Sequence, residues 1–344
     1  MNFNIKPVSD ELKEKLQSII DFKTKPLGSL GKLEQVALKI CLIQNSLKPK
    51  LIKPTIIVFA GDHGIVKEGV SAYPPEVTFQ MVYNFLSGGA AINTFCRQNG
   101  IDIKIVDAGV NFDFPKDDKL INAKIGKGTN NFLNGHAMSK KECLDSISKG
   151  AEIVEKVKSD GCNIIGFGDM GIGNTSSASI IMSAICDFPI ENCVGKGTGL
   201  NDAKVKSKKE VLSKALKNYS GNRDPINILS YFGGFEIAML CGAMLKAAEL
   251  KMVILIDGFI VSSALLIASR LYHSVLEYCI FTHQSGEQGH EKMLKFLGAE
   301  PLVNLNMRLG EGTGVAVTYP IIESAVNFFN EMASFEKAGV NNRE

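Results

Sequence analysis

Five segments of this chain share one design: "TIIVFAGDHG" (55–64), "IDIKIVDAG" (101–109), "CNIIGFGDMG" (162–171), "KMVILIDG" (251–258) and "EYCIFTHQSG" (277–286). Each opens as a short apolar run and closes on glycine with a polar side chain beside it. Most are followed by a stretch with helical spacing. Short buried strands alternating with helices are the pattern of an α/β protein with a doubly wound, mostly parallel sheet in Rossmann-like layers. Such sheets take ligands outside the C-terminal ends of their strands. Asp62, Asp107, Asp169, Asp257, His63 and His283 all fall at those ends. Capping of the next helix is the structural alternative for each acid.

The ends of the chain read differently. "VSDELKEKLQSII" (8–20) and "GKLEQVALKICLIQ" (31–44) have the spacing of two amphipathic helices joined by "TKPLGSLG" (24–31), and "IIESAVNFFNEMASFEK" (321–337) of a third. We therefore expect a small helical lobe from residues 1–45 and a C-terminal helix over 320–344. Residues 46–319 would form the large α/β catalytic domain.

Composition removes several function classes. The chain has 344 residues, 45% of them hydrophobic, and a formal net charge of +2. No basic stripe with interleaved aromatics is present, so nucleic acid is not an expected partner. The longest apolar run, "MVILIDGFIVSSALLIAS" (252–269), is broken by Asp257 and Gly258 and reads as strand, turn and helix, not as a membrane span. The N-terminal segment "MNFNIKPVSDELKEK" has no signal-peptide core. The eight cysteines form no CxxC pair, and Cys41, Cys162, Cys241 and Cys279 sit in apolar runs. A reduced, cytoplasmic protein is expected.

Three glycine-rich stretches carry the candidate chemistry. "GFGDMG" (166–171) spells G-x-G-x-x-G, the dinucleotide fingerprint, and suggests an NAD-dependent oxidoreductase. Asp187 follows at about the right interval, but "ICDFP" around it reads as a helix end, and Asp169 inside the motif would repel a pyrophosphate. The stretch continues as "GIGNTSSAS", where Asn174, Thr175 and Ser176 are candidate caps for a helix whose N-terminus suits a single phosphate. "GKGTGL" (195–200) is a second loop, with Lys204, Lys206, Lys208 and Lys209 behind it. Neither matches the P-loop pattern, which disfavours a nucleoside triphosphatase. "RLGEGTG" (308–314) places one acid, Glu311, between two glycines just before an apolar segment. A solvated turn is the structural alternative. His283, Glu287 and His290 would share a face only if that segment were helical throughout; since His283 ends a strand, no metal site is expected.

Taken in order, "KPLGSLGKLE", "AGDHGIVKEGVSAYPPEVT", "GFGDMGIGNTS", "GGFE", "DGFIVSSA", "THQSGEQG" and "MRLGEGTGVA" closely resemble the nicotinate-nucleotide–dimethylbenzimidazole phosphoribosyltransferases of cobalamin lower-ligand synthesis, nearly end to end. The resemblance implies a homodimeric transferase that moves the 5-phosphoribosyl group from nicotinate mononucleotide to 5,6-dimethylbenzimidazole or a related base, without a cofactor or metal. It gives Glu311 the role of catalytic base. Asp169 stands where the family usually has glutamate. Gly171, Gly173, Asn174 and Thr175 would cradle the nucleotide, with Gly195, Gly197 and Lys208 in the second loop and its helix. Gly233 and Gly234 would approach the ribose or nicotinate beside Asp257 and Gly258. Arg308 would be structural or pair with a carboxylate or phosphate, and Gly310 and Gly312 flank the base. Tyr73, Pro74 and Met81 would line the base pocket. The oxidoreductase and a catalytically silent nucleotide-binding protein stand as alternatives.

Overall fold

The computed structural model describes residues 2–197 and 199–342. Met1, Thr198, Arg343 and Glu344 lie outside the described residues, so the expected loop 195–200 lacks one member and the expected segment 320–344 is followed only to 342. The sheet comprises β1 (Thr55–Gly61), β2 (Asp102–Gly109), β3 (Leu120–Asn122), β4 (Ile164–Met170), β5 (Val253–Ile256) and β6 (Cys279–Phe281). All pairs are parallel, in the order β3-β2-β1-β4-β5-β6. Every residue of β1 is buried, as a strand covered on both faces requires. The doubly wound parallel sheet read from the strand pattern is the observed fold. Its order reverses between β1 and β4, which opens a crevice at their C-terminal ends.

Thirteen helices are described: α1 (Lys13–Asp21), α2 (Lys32–Gln44), α3 (Val77–Leu86), α4 (Ala91–Gln98), α5 (Lys140–Ser159), α6 (Asn174–Cys186), α7 (Asp202–Asn218), α8 (Pro225–Phe232), α9 (Phe235–Glu249), α10 (Phe259–Leu271), α11 (His290–Phe296), α12 (Thr313–Glu331) and α13 (Phe335–Ala338). α9 packs across β1, β2, β4 and β5, with α5 against it. Gly150 and Gly242 let these two helices cross, because a β-carbon at either would lie within about 2 Å of a carbonyl of the other helix. α3, α4, α12 and α2 also pack on the sheet, and α12 contacts both α2 and α4. One continuous apolar core joins these layers.

The chain ends meet. Thr24 N–H donates to the Ala333 carbonyl at 3.1 Å, Phe335 N–H to Phe22 at 3.0 Å, and the Lys23 ammonium to Met332. One expected boundary is corrected. The last long helix does not start at 320 but at Thr313, with Pro320 inside it. A proline there cannot bond the carbonyl of residue 316. That carbonyl instead accepts the Asn99 side-chain amide at 2.7 Å, so the helix continues without an orphaned acceptor. No described helix is long and apolar enough to cross a membrane.

Candidate active site

Asp169, Asp257 and His283 come together beside the β1/β4 crevice, whereas Asp107 pairs with Lys124 at 2.9 Å and Asp62 accepts from Asn111 N–H at 2.8 Å. Two corrections follow. First, "GFGDMG" is not a loop after a strand: β4 runs from Ile164 to Met170, so Gly166 and Gly168 lie within it. A β-carbon at Gly166 would fall 2.6 Å from Val315 Cγ1, and one at Gly168 would fall 2.3 Å from the Glu311 carbonyl oxygen. These glycines admit α12 and its leading loop, not a pyrophosphate. Second, Asn174, Thr175 and Ser176 do not cap α6. They form its first turn, behind Gly173.

Glu311 is the centre of the arrangement. It is 5% exposed and has φ of 64°, between Gly310 at 84° and Gly312 at 85°. A left-handed run of three residues is costly for any chain not rich in glycine. It turns the backbone so that the carboxylate points at the N-terminus of α4, where Ile92 N–H donates to Oε2 at 3.3 Å. Among the described residues no protein donor bonds Oε1. Burial, with the Asp257 charge adding to it, pushes the Glu311 carboxyl up to about 7 against the pull of the Ile92 amide.

Asp257 holds that loop in place. Its carboxylate accepts from Gly312 N–H (3.3 Å), Gly314 N–H (2.8 Å) and Val315 N–H (3.3 Å). The acid after β5 therefore caps α12 from across the sheet, not the helix that follows it, and also faces His283 Nε2 at 3.5 Å. Burial draws His283 down, but the Asp257 hydrogen bond and charge outweigh it and leave the imidazole above its ordinary value.

Asp169, 7% exposed, accepts from Asn174 Nδ2 at 2.9 Å. Bare Gly310 stands opposite: a β-carbon there would be 3.3 Å from both Asp169 oxygens. Burial, then the charges of Asp257, Glu236 and Glu311, raise the Asp169 carboxyl well above the usual carboxylate range. Its one-methylene-shorter side chain still reaches into a pocket shared with Asn174, Thr175, Gly197, Gly258, Phe259, Ile260, His283, Ser285, Glu287, Arg308, Leu309 and Gly310. Of the four lysines behind the second loop, only Lys208 turns inward. It is 1% exposed, donates to Thr175 Oγ1 at 2.8 Å, and is drawn down to about 8 by burial, with Glu287 opposing. Arg308 donates to the Gly197 carbonyl at 2.7 Å, which ties the Glu311 loop to the second glycine loop.

Other expected members are placed elsewhere. The space at Gly234 is filled by Glu236 and His63, and at Gly233 by Leu229, so both glycines serve packing and neither lines the pocket. Gly171 and Gly173 likewise leave room for the Gly61 carbonyl, Val66 and His63, while their backbone turns the chain into α6. Gly195 accommodates Glu287. Tyr73 is 49% exposed, Pro74 is exposed and Met81 half-buried; none lines the pocket around Asp169. His290 faces inward, accepting from Ser285 N–H (2.8 Å) at Nδ1 and meeting Ser262 Oγ (3.0 Å) at Nε2, so both its ring nitrogens are engaged although its ring lies 6.4 Å from that of His283.

Sequence reasoning missed several partners. His63 is clamped between Ser177 Oγ (3.0 Å) and Glu236 Oε1 (2.5 Å), both fully buried, and braces the first turn of α6. The Ile92 amide was also missed, and Glu287 was weighed only as a metal ligand. The first is a backbone group with no residue-type signal. The second stood inside the quoted "THQSGEQG".

The family model described as "Phosphoribosyltransferase" matches residues 5–340. The chain is 54% identical to the nicotinate-nucleotide–dimethylbenzimidazole phosphoribosyltransferase of Dechloromonas aromatica (strain RCB), over 100% of this chain and 99% of that one. It is 50% identical to the protein of the same name from Bacteroides fragilis (strain ATCC 25285), over 98% of both chains. The crystal structure of CobT from Thermus thermophilus superposes with a TM-score of 0.93 at 35% identity, covering 97% of this chain and 100% of that one.

Proposed function

This chain belongs to the nicotinate-nucleotide–dimethylbenzimidazole phosphoribosyltransferase family, and we propose that the strand-end cluster is its active site, with Glu311 as the general base. The enzyme is a pentosyltransferase that moves the phosphoribosyl group of nicotinate mononucleotide to dimethylbenzimidazole. A nitrogen of the incoming base attacks the anomeric carbon. Nicotinate departs with the electrons of the broken C–N bond. Its ring nitrogen is quaternary in the substrate and neutral in the product, so no acid is needed. The azole has the opposite need, because its N–H becomes acidic as the new bond forms.

The observation that carries this assignment is the buried Glu311 carboxyl, at about 7, with Oε2 held by Ile92 N–H and Oε1 unclaimed by any donor among the described residues. A base poised near the working pH accepts a proton and releases it again at little cost. Asp169, held by Asn174 Nδ2 at 2.9 Å, faces the same pocket. Lys208, Thr175, the Gly197 loop and Arg308 supply the charge and donors for the 5′-phosphate, beside the N-terminus of α6. Asp257 acts on Glu311 by fixing its loop.

Incubating the pure protein with nicotinate mononucleotide and a panel of bases tests this reading. Release of nicotinate with formation of a ribosylated base phosphate supports it. Tight NAD binding without transfer would favour the oxidoreductase instead. We also infer a homodimer with a small lobe built from residues 1–45 and the C-terminal helix, working in the cytoplasm. The eight free, buried cysteines fit a reducing compartment, and sedimentation tests the dimer.

A further inference from the structure

The pocket that suits the nucleotide phosphate already contains a carboxyl group of its own. Glu287 lines it together with Thr175, Gly197 and Arg308. A β-carbon at Gly195 would fall 2.5 Å from Glu287 Oε2, so the carboxylate lies directly on the bare backbone of the second glycine loop. Burial raises the Glu287 carboxyl, while the Lys208 ammonium, the Gly197 amide and the Arg308 guanidinium pull it down, in that order. A phosphate monoester entering the pocket needs those same three groups. Asp169 and His283 are the other titratable side chains that line the pocket, and Lys208 reaches it through Thr175.

We propose that Glu287 is an internal stand-in for the 5′-phosphate, which holds the Gly195–Gly197 loop, Lys208 and Arg308 together before the nucleotide binds and competes with the incoming nucleotide for them. This rests on the reading of the pocket as the nucleotide site. It answers a structural difficulty, namely why a site for a dianion keeps a carboxylate, a group of the wrong sign, beside its lysine. An uncompensated, desolvated lysine beside an arginine would be unfavourable. The carboxylate balances them until substrate arrives. The arrangement stabilises the site between turnovers and lowers affinity for phosphate, which also favours product release.

The sign of the pH effect is fixed. Glu287 competes only when ionised, so its contribution weakens nucleotide binding as pH rises through its titration. Lys208 losing its proton acts in the same direction, whereas the second ionisation of the phosphate acts oppositely. Comparing the parent with Glu287→Gln isolates the first of these. The Gln variant should bind nicotinate mononucleotide and inorganic phosphate about tenfold more tightly near neutral pH, a size typical of removing one like charge at close range. Its advantage should shrink as pH falls, and Glu287→Asp should stay close to the parent. Binding is read by calorimetry, with thermal melts confirming the fold. If Gln and Ala both weaken phosphate binding while Asp restores it, Glu287 is a brace for the loop and the proposal is overturned. If both the parent and Glu287→Gln bind inorganic phosphate as expected but neither binds the nucleotide, the proposed substrate fails while the stand-in survives.

Discussion

The carbonyl oxygen of Glu311 lies over the α-carbon of Gly168, so close that a β-carbon at position 168 would be 2.3 Å from it. A glycine in the middle of β4 thus sets the depth at which the acid-bearing loop can sit. The neighbouring strand β5 leads into Asp257, which ties down the same loop through three amides. The position of Glu311 is decided by two strands, neither of which carries it.

Gly168→Ala should therefore lift the Glu311 loop. Overpacking of this kind costs about 1–3 kcal/mol, and a displaced base costs rate beyond that. We expect a folded protein with a lower melting temperature and a kcat reduced much more than the affinity for nucleotide. Parent-like kcat in this variant would show that the contact does not position Glu311.

Glu311→Gln keeps shape and removes the proton acceptor. A loss of about 10²–10⁴-fold in kcat is expected, with nucleotide affinity little changed. The variant should also be more stable at pH 8. Folding raises this carboxyl from 4.5 to about 7, so the folded state binds the proton more tightly. The site then costs stability increasingly as pH climbs from about 4.5 to about 7, and the cost is complete above that. At about 1.36 kcal/mol per pH unit the penalty is about 3 kcal/mol. A melting-temperature gain present at pH 8 and absent at pH 4 checks it.

The rate profile should be bell-shaped. The rising limb, near pH 7, reports Glu311 losing its proton; the falling limb, near pH 8, reports Lys208 losing its own. The falling limb belongs to nucleotide affinity, so saturating nicotinate mononucleotide should flatten it and leave the rising limb. A rising limb unchanged in Glu311→Gln would transfer the role of base to another group.

Asp169 allows three substitutions to be ranked. Its raised carboxyl favours the neutral form, which Asn imitates. Asp169→Glu keeps the carboxyl group and lengthens its reach by one methylene. Asp169→Asn and Asp169→Glu should retain more of kcat/KM than Asp169→Ala, which leaves Asn174 Nδ2 without its acceptor. Full activity in the Ala variant would reduce Asp169 to a spectator.

Chelation should leave the enzyme active. The departing pyridine nitrogen needs no electrophile, and both ring nitrogens of His290 are engaged, by Ser285 N–H and by Ser262 Oγ. Loss of activity in EDTA, restored by one particular metal, would contradict this.

What the sequence by itself determined is the layering and the chemistry. Uninterrupted apolar runs such as "TIIVFAG" can only be buried on both faces, which implies a parallel sheet and so puts Asp62, Asp169, Asp257 and His283 at one edge. "RLGEGTG" marked its acid because few chains spend three glycines on one turn. Tertiary structure decided everything that depends on what lies across a gap. Gly166 and Gly168 looked like a phosphate loop and proved to be strand residues thinned for α12, since a glycine's purpose is the neighbour it admits and that neighbour is 143 residues away for Gly168 and Glu311. Asp257 looked like a local cap and serves a distant helix. The last helix was expected from 320, but Pro320 is tolerated inside α12 because Asn99 satisfies the carbonyl it frees. Spacing along a chain carries the period of helices and strands, whereas close approach between elements, and the burial that moves Glu311 to about 7, exist only once the elements have packed.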